Sequence, residues 1–370
     1  MSTKKPHIFF CTDGIFPHSI GGMQRHSQLL LEEMVKQDRA KFTVVHPHAE
    51  KVLDYLPGIK EIPLNAPVKG NYILHCYNYS KLVFGEIQKH QPDLIYSQGL
   101  SVFYGLKKIG SKTIVNPHGL EPFQAITASD RYRSLPLRLM EAYQFRNAAK
   151  VISLGGQLTN ILKKYVRDKR NVVVIPNAVN PTPPPERRFD REPLQLLFVG
   201  RFASNKGIDL LLETVRRLNN EGYKNKLVFN LVGKGPLYDK ITREYQLPNV
   251  NYLGFATDED LFRLYRENDI FVFPTLFEGM PTVVLEAMMA GMPIIVSDTG
   301  ATAEQVDQSN GFLVEAGNIR ALKTAIQQLY SYTPEQRKAL SEKSIQKVMA
   351  RFTWEKAARQ HLDLFDTMLR

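Results

Sequence analysis

Residues Phe273 to Pro293 read F-P-T-L-F-E-G-M-P-T-V-V-L-E-A-M-M-A-G-M-P. The apolar run Ile270 to Phe273 has the length of a buried strand and stops at Pro274, whose ring nitrogen cannot donate to a ladder. A glycine-containing turn follows, and Pro281 opens a helical pattern that ends at Gly291. Proline at the start of a helix and glycine just past its end is the usual asymmetry of helix termini. The reading places Glu278 in the loop facing the helix start and Glu286 about a turn and a half inside. The N–H groups of Met280, Thr282 and Val283 then aim the helix dipole at whatever binds there, an arrangement suited to an anion. Two carboxylates at that end would repel phosphate and are better suited to accept hydrogen bonds from sugar or ribose hydroxyls. A plain strand-turn-helix unit, with a helix-start acid and a solvated Glu286, is the alternative this stretch leaves open.

Outward from it the same alternation repeats. Before it come Leu196 to Val199, Leu227 to Val232 and Val250 to Leu253, and after it Ile294 to Ser297. The first half carries strand patterns at Ile8 to Thr12, Phe42 to His46, Asp93 to Ser97, Thr113 to Asn116, Lys150 to Leu154 and Val172 to Ile175. Helical patterns at Met23 to Lys36 and Asn71 to His90 interleave with them. Strand-helix alternation of this kind implies a parallel sheet covered on both faces. Between the halves lies P-T-P-P-P-E-R-R, stiff and unable to join a sheet. The length of 370 residues exceeds one ordinary core. The expected architecture is therefore α/β, with doubly wound domains over 1–180 and 189–352, a linker over 181–188 and a closing helix over 353–370.

Composition excludes several classes. No run approaches the roughly 20 apolar residues of a membrane span, and the run Ile8 to Cys11 before Asp13 reads as a first strand rather than a signal peptide. Cys11 and Cys76 offer neither a disulfide framework nor a metal spacing, which fits a reducing cytoplasm. The acidic run Asp258-Glu259-Asp260 follows Thr257 at capping-box spacing, so no metal is implied and no cofactor is expected. The charge is unevenly placed. Residues 1–180 hold 24 Lys and Arg against 13 Asp and Glu, and 181–370 hold 24 against 24. The stretch 101–180 alone has 13 against 4. A basic first domain points to an anionic partner, acidic lipid or a phosphate-bearing acceptor. Nucleic acid is not expected, because no reading motif or basic-aromatic strand pattern is present.

In open α/β sheets ligands bind beyond the carboxyl ends of the strands. After the first strand comes C-T-D-G-I-F-P-H-S-I-G-G-M-Q-R-H, in which Gly21 and Gly22 either let the backbone approach a phosphate or sugar or form an ordinary turn. His118 stands at a strand tip in N-P-H-G, a structural histidine or a ligand contact. After Val199, G-R-F-A-S-N-K-G starts at Gly200 and sets Arg201 and Lys206 on a loop into a helix. Two cations there suit a diphosphate, arginine bidentately and lysine as a point charge. After Val232, G-K-G-P begins at Gly233; it lacks the third glycine and the acidic ribose partner of a dinucleotide fingerprint, so NAD is not expected.

Taken together these pieces resemble one family, the retaining family 4 glycosyltransferases of GT-B architecture, two facing Rossmann-like domains with a C-terminal helix crossing back to the first. The resemblance is carried by G-G-M-Q-R-H (Gly21 to His26), P-H-G (Pro117 to Gly119), I-P-N-A-V-N (Ile175 to Asn180), G-R-F-x-x-N-K-G (Gly200 to Gly207) and G-x-G-P (Gly233 to Pro236). It rests most on E-G-M-P-T-V-V-L-E-A, whose glutamates have seven residues between them. F-T-W-E-K-A-A-R (Phe352 to Arg359) fits the family's final helix.

The resemblance implies roles. Arg201 and Lys206 would bind the donor diphosphate, and Glu286 both ribose hydroxyls. Glu278 and the backbone of Gly279, Met280, Pro281 and Thr282 would hold the transferred sugar. The Gly21-Gly22 loop would meet the distal phosphate, His118 the sugar near its reacting carbon, and Gly200 and Gly233 would line the donor site. Asn180 and Ala178 stand where the family often has Asp and Gly, and G-A-T-A-E-Q-V (Gly300 to Val306) departs enough to leave Glu304 out of the site. The implied activity moves a sugar from a nucleotide-diphosphate sugar, UDP favoured and GDP-mannose next. The implied acceptor is a membrane-associated glycan or lipid of lipopolysaccharide, capsule or other envelope polysaccharide synthesis, at the cytoplasmic face of the membrane. A nucleotide-sugar epimerase or hydrolase on the same fold and a non-catalytic glycan-binding subunit remain open.

Overall fold

The structure, a computed structural model, describes residues 5–19, 21–67, 70–124 and 128–370. It divides into two compact units, one of 1–177 with 354–370 and one of 178–353.

The first unit is a parallel sheet with helices on its faces. In chain order it holds β1 (His7–Cys11), α1 (Gly22–Lys36), β2 (Lys41–His46), β3 (Ile59–Pro63), α2 (Tyr72–His90), β4 (Leu94–Gln98), α3 (Leu106–Ile109) and β5 (Thr113–Asn116). Then come α4 (Ala128–Asn147), β6 (Lys150–Ser153), α5 (Gly156–Leu162) and β7 (Val172–Val174). The strand order is β3-β2-β1-β4-β5-β6-β7, every pair parallel. The inner strands are apolar on both faces because helices cover both: Ile8, Phe9, Phe10 and Cys11 are all fully buried. The chain's last helix belongs to this unit. Its Phe365 and His361 rings meet Tyr96 of β4 at 5.7 and 5.5 Å, and Arg39 pairs with Asp363 at 2.7 Å.

The second unit repeats the plan with β8 (Leu194–Val199), α6 (Ile208–Asn220), β9 (Leu227–Val232), α7 (Tyr238–Glu244), β10 (Val250–Gly254), α8 (Asp258–Glu267), β11 (Ile270–Phe273), α9 (Thr282–Met289) and β12 (Ile294–Ser297). It continues with α10 (Thr302–Gln305), β13 (Gly311–Val314), α11 (Ile319–Ser331) and α12 (Pro334–Arg351), and α13 (Trp354–Leu369) is the closing helix already placed in the first unit. The order is β10-β9-β8-β11-β12-β13, again all parallel. In each sheet the chain reverses its direction of travel once, between β1 and β4 and between β8 and β11. Those are the positions where the loops beyond neighbouring strands part and leave a crevice.

Two strands escape the apolar-run reading. β3 (I-K-E-I-P), at one edge of its sheet, carries Lys60 and Glu61 and so shows no apolar run, whereas β13 (G-F-L-V), at one edge of the other sheet, is short but apolar. The expected helix boundaries shift by one residue at Pro281, which is the extended N-cap (ψ 120°) before Thr282. At the other end Gly291 adopts φ 71°, with Gly291 N–H donating to Met288 O and Met292 N–H to Ala287 O. That is a Schellman stop, which only glycine makes without strain. Thr257 and Asp260 form the expected capping box at the start of α8.

Candidate functional site

In the second unit the loops after β8, β9, β11 and β12 are packed backbone to backbone, and glycine makes the approach possible. Gly207 has φ 64°, and a Cβ there would lie 2.0 Å from the Pro274 carbonyl oxygen. The carbonyl of Asn205 accepts from Leu276 N–H at 2.8 Å and from the Thr275 hydroxyl at 2.9 Å, which stitches the cationic loop to the acidic one. A Cβ on Gly233 would lie 1.9 Å from Gly200 O, and one on Gly235 would lie 2.9 Å from Arg201 Cγ. Gly300, beyond β12, has φ 56° and comes as near to the carbonyls of Glu278 and Gly279.

This packing brings Lys206 and Glu278 together as an ion pair of two half-buried side chains, with the ammonium also 5.8 Å from the Phe273 ring centroid. Arg201 is exposed on the same loop. Gly279 O accepts from Ala301 N–H at 2.8 Å and Pro281 O from the Gln305 amide at 2.9 Å, so neighbouring segments fix the acidic loop. Buried Met280 leads into it, and no side chain caps α9. The N–H groups of its first turn, from Thr282 onward, carry the positive end of the helix dipole.

Glu286 lies one turn further along α9, where its carboxylate accepts from the Tyr265 hydroxyl at 2.8 Å. Tyr265 is buried, and burial beside that carboxylate pushes its phenol well above its ordinary range, so it is a permanent donor. Glu304 pairs with Arg351 at 2.8 Å.

The remaining expected residues are in the first unit. Gly21 is the extended N-cap of α1, and its missing side chain leaves room for Gln24 to turn back and donate to Asp13 at 3.0 Å. Gly22, the first helical residue, faces open space. Burial raises the Asp13 carboxyl to about 6. His118 has φ 64°, a conformation a non-glycine residue adopts at a cost of about 1–3 kcal/mol and one that marks functional sites. Its Nε2 bonds the Gln98 side chain and its ring stands edge-on to His26 at 4.5 Å, while burial depresses the imidazole to about 3. With Gln98 accepting, the proton sits on Nε2, which leaves Nδ1 as an acceptor for a hydroxyl. The ring is thus a neutral hydrogen-bonding group at physiological pH.

A further carboxyl near this loop responds to pH. Burial, reinforced by Glu121, raises Glu141 of α4 to about 8. Between the unfolded value near 4.5 and the folded value, the native state holds a proton that the unfolded chain has released. Stability therefore falls as pH rises through that window and levels off above it. Glu141→Gln removes the effect. Thermal melts should show the wild type losing a few degrees between about pH 5 and 8 relative to the variant, and parallel curves would refute the assignment.

Sequence reasoning missed Tyr265 and Gln98, which are recognised only by what they touch. Gly235 and Gly300 stand in stretches quoted above, G-K-G-P and G-A-T-A-E-Q-V, but were given no role of their own.

Both halves of the chain match known families. Residues 20–182 match Glycosyltransferase Family 4, and residues 193–332 match Glycosyl transferases group 1. An uncharacterized glycosyltransferase of Methanocaldococcus jannaschii is 27% identical over 77% of this chain and 78% of its own. The capsular polysaccharide biosynthesis glycosyltransferase CapM of Staphylococcus aureus is 32% identical over 36% of this chain and 35% of its own. Among solved structures, sucrose-phosphate synthase of Thermosynechococcus elongatus superposes with a TM-score of 0.78 at 21% identity, over 99% of both chains. HepE of Anabaena, solved with UDP-glucose, superposes with a TM-score of 0.70 at 18% identity, over 98% of this chain and all of its own. With both halves accounted for and the fold shared, the chain is a GT-B glycosyltransferase of the family 4 type.

Proposed function

We propose that this glycosyltransferase moves a sugar from a nucleotide-diphosphate sugar, a UDP-sugar before GDP-mannose, to a membrane-associated glycan or lipid-linked acceptor of envelope polysaccharide synthesis. Anomeric configuration is retained and no metal ion is needed. The observation that carries the reading is the meeting of Lys206 and Glu278 at the β8/β11 reversal. A cation for the diphosphate and a carboxylate for sugar hydroxyls are stitched there into one rigid cradle. Arg201 and Lys206 take the donor diphosphate, Glu286 the ribose, and Glu278 with 279–282 the sugar. Gly200 and Gly233 line the donor site, Gly21 and Gly22 approach the distal phosphate, and His118 accepts a sugar hydroxyl at Nδ1. The bond from the sugar's anomeric carbon to phosphate oxygen breaks and one to the acceptor oxygen forms on the same face. The acceptor's proton passes to the departing phosphate oxygen. CapM, a capsule glycosyltransferase, and HepE, which binds UDP-glucose, support the acceptor and donor classes.

The membrane part is supported by the first unit's surface. At 100° per residue Tyr132, Leu135 and Leu139 share one face of α4, and all three are exposed, Tyr132 at 80% and Leu139 at 62%. A groove of about 530 Å³ lined by Asn71, Ile73, Leu74, Tyr77, Phe103 and Met140 adjoins the next position of that helix. Arg131 and Arg133, which flank Tyr132 in the chain, are exposed, as are Lys107 and Lys108. Apolar side chains facing solvent among cations fit the interface of an anionic bilayer. Among the described residues no helix is long and apolar enough to cross a membrane, so contact is at the surface.

Two measurements test the reading. A thermal-shift screen of UDP- and GDP-sugars should single out one donor, since a ligand that binds the native state stabilises it by mass action. Stabilisation by none overturns the donor assignment, and isomerised sugar on incubation with donor alone favours an epimerase. The protein should sediment with anionic liposomes at low salt and less at high salt, and failure to bind at low salt refutes the membrane claim.

A further inference from the structure

We propose that Arg187, in the proline-rich segment expected to be a linker, is a positioning residue for the donor: it ties the ends of α8 and α9 together and so sets where Tyr265 holds Glu286. The proposal rests on the ribose role given to Glu286 above.

The expected linker is anchored to the second unit at this residue. The half-buried Arg187 guanidinium donates from Nε to Ala290 O at 2.6 Å, from Nη1 to Asn268 O at 2.6 Å and from Nη2 to Tyr265 O. Asn268 and Ala290 are the residues that cap the C-terminal ends of α8 and α9. Both ends present carbonyls without intrahelical partners and the negative pole of a helix dipole, so one planar cation satisfies two helices at once. Burial lowers the Arg187 guanidinium to about 10, which leaves it charged at physiological pH, and the carboxylate of Asp269, next along the chain from Asn268, partly offsets that burial.

What makes the clamp relevant to the donor is which residues it holds. Tyr265 gives its carbonyl to Arg187 and its hydroxyl to Glu286. Ala290 gives its carbonyl to Arg187 and its N–H to the carbonyl of Glu286 at 2.9 Å. Arg187 therefore grips two residues that bond Glu286, one at its side chain and one at its backbone. A lysine at 187 keeps the charge yet has no rigid fork, so it cannot span three carbonyls in fixed geometry.

The test is nucleotide affinity in the intact chain, measured by calorimetry with UDP and GDP and using whichever binds tighter. Arg187→Lys should raise the dissociation constant about 10-fold, equivalent to about 1.4 kcal/mol. Tyr265→Phe should do so by a similar factor, and the double variant by much less than the product, because both act through Glu286. In a Glu286→Gln background Arg187→Lys should change affinity less than about 2-fold relative to Glu286→Gln alone, and the single variant Arg187→Lys should raise the donor KM while its turnover at saturating donor changes less than about 2-fold. A variant that melts lower yet binds nucleotide as the wild type does overturns the proposal, and so do multiplicative effects. If Glu286→Gln itself leaves nucleotide affinity unchanged, the ribose reading fails instead. Arg187→Ala is the harsher variant and is read only beside the lysine one.

Discussion

Lys206→Ala will lower turnover about 10²- to 10³-fold, the usual loss when one preorganised electrostatic contact to developing charge is removed. A leaving nucleoside diphosphate gains negative charge as the glycosidic bond breaks. Under the proposed reading, in which protein groups alone serve the site, Lys206, Arg201 and the first turn of α9 would be the counter-charges. The ion pair with Glu278 gives the variant a second signature. Without its ammonium the half-buried carboxylate loses its charged partner, costing about 1–3 kcal/mol of stability. Lys206→Ala combined with Glu278→Gln should recover most of that stability and none of the turnover. Arg201→Ala, on an exposed side chain, should lower turnover by a similar factor with little change in melting temperature. Steady-state kinetics beside thermal melts separate these outcomes, and near-wild-type turnover in both single variants would refute the phosphate assignment. Under the proposed reading, donor binding would draw Lys206 from the Glu278 carboxylate to phosphate.

Gly207→Ala should be among the most damaging single-methyl changes in the second unit. At φ 64° an alanine costs about 1–2 kcal/mol from its own backbone. Its Cβ would also stand 2.0 Å from the Pro274 carbonyl oxygen, and neither partner is a side chain that can swing away. Separating the two loops breaks the bonds from Thr275 and Leu276 to Asn205 and moves Lys206, which precedes the substituted residue. A loss of about 3 kcal/mol or more is expected, a drop of roughly 6–12 °C in melting temperature for a unit of this size, with turnover falling as well. Gly222→Ala is the control: φ is 87° and nothing lies within 4 Å of the added carbon, so it reports the backbone cost alone. Equal losses in the two variants would show that the close approach of the loops is unimportant.

How much of this could be read beforehand is clear from particular residues. The cap at Thr257 and the stop at Gly291 are local. Each depends on backbone groups within five residues, so sequence spacing was enough. The succession of strands along the chain followed from apolar runs, except at β3, where Lys60 and Glu61 interrupt the run, and at the short β13. The segment 181–188 read as a linker because prolines resist sheets. What that reading lacked was Arg187, whose partners lie 78 to 103 residues away.

The amino-acid sequence by itself determined the alternation of elements, the glycine and proline punctuation and the family, because these rest on periodicity and short-range backbone geometry. Only the tertiary structure decided that Lys206 meets Glu278, that Tyr265 holds Glu286, that Gln98 and burial keep His118 neutral, and that Arg187 binds the helix ends behind the site. The physical reason is that a parallel sheet brings loops from distant strands to one edge. Side chains far apart along the chain become neighbours there, and their hydrogen bonds leave no periodic trace in the sequence.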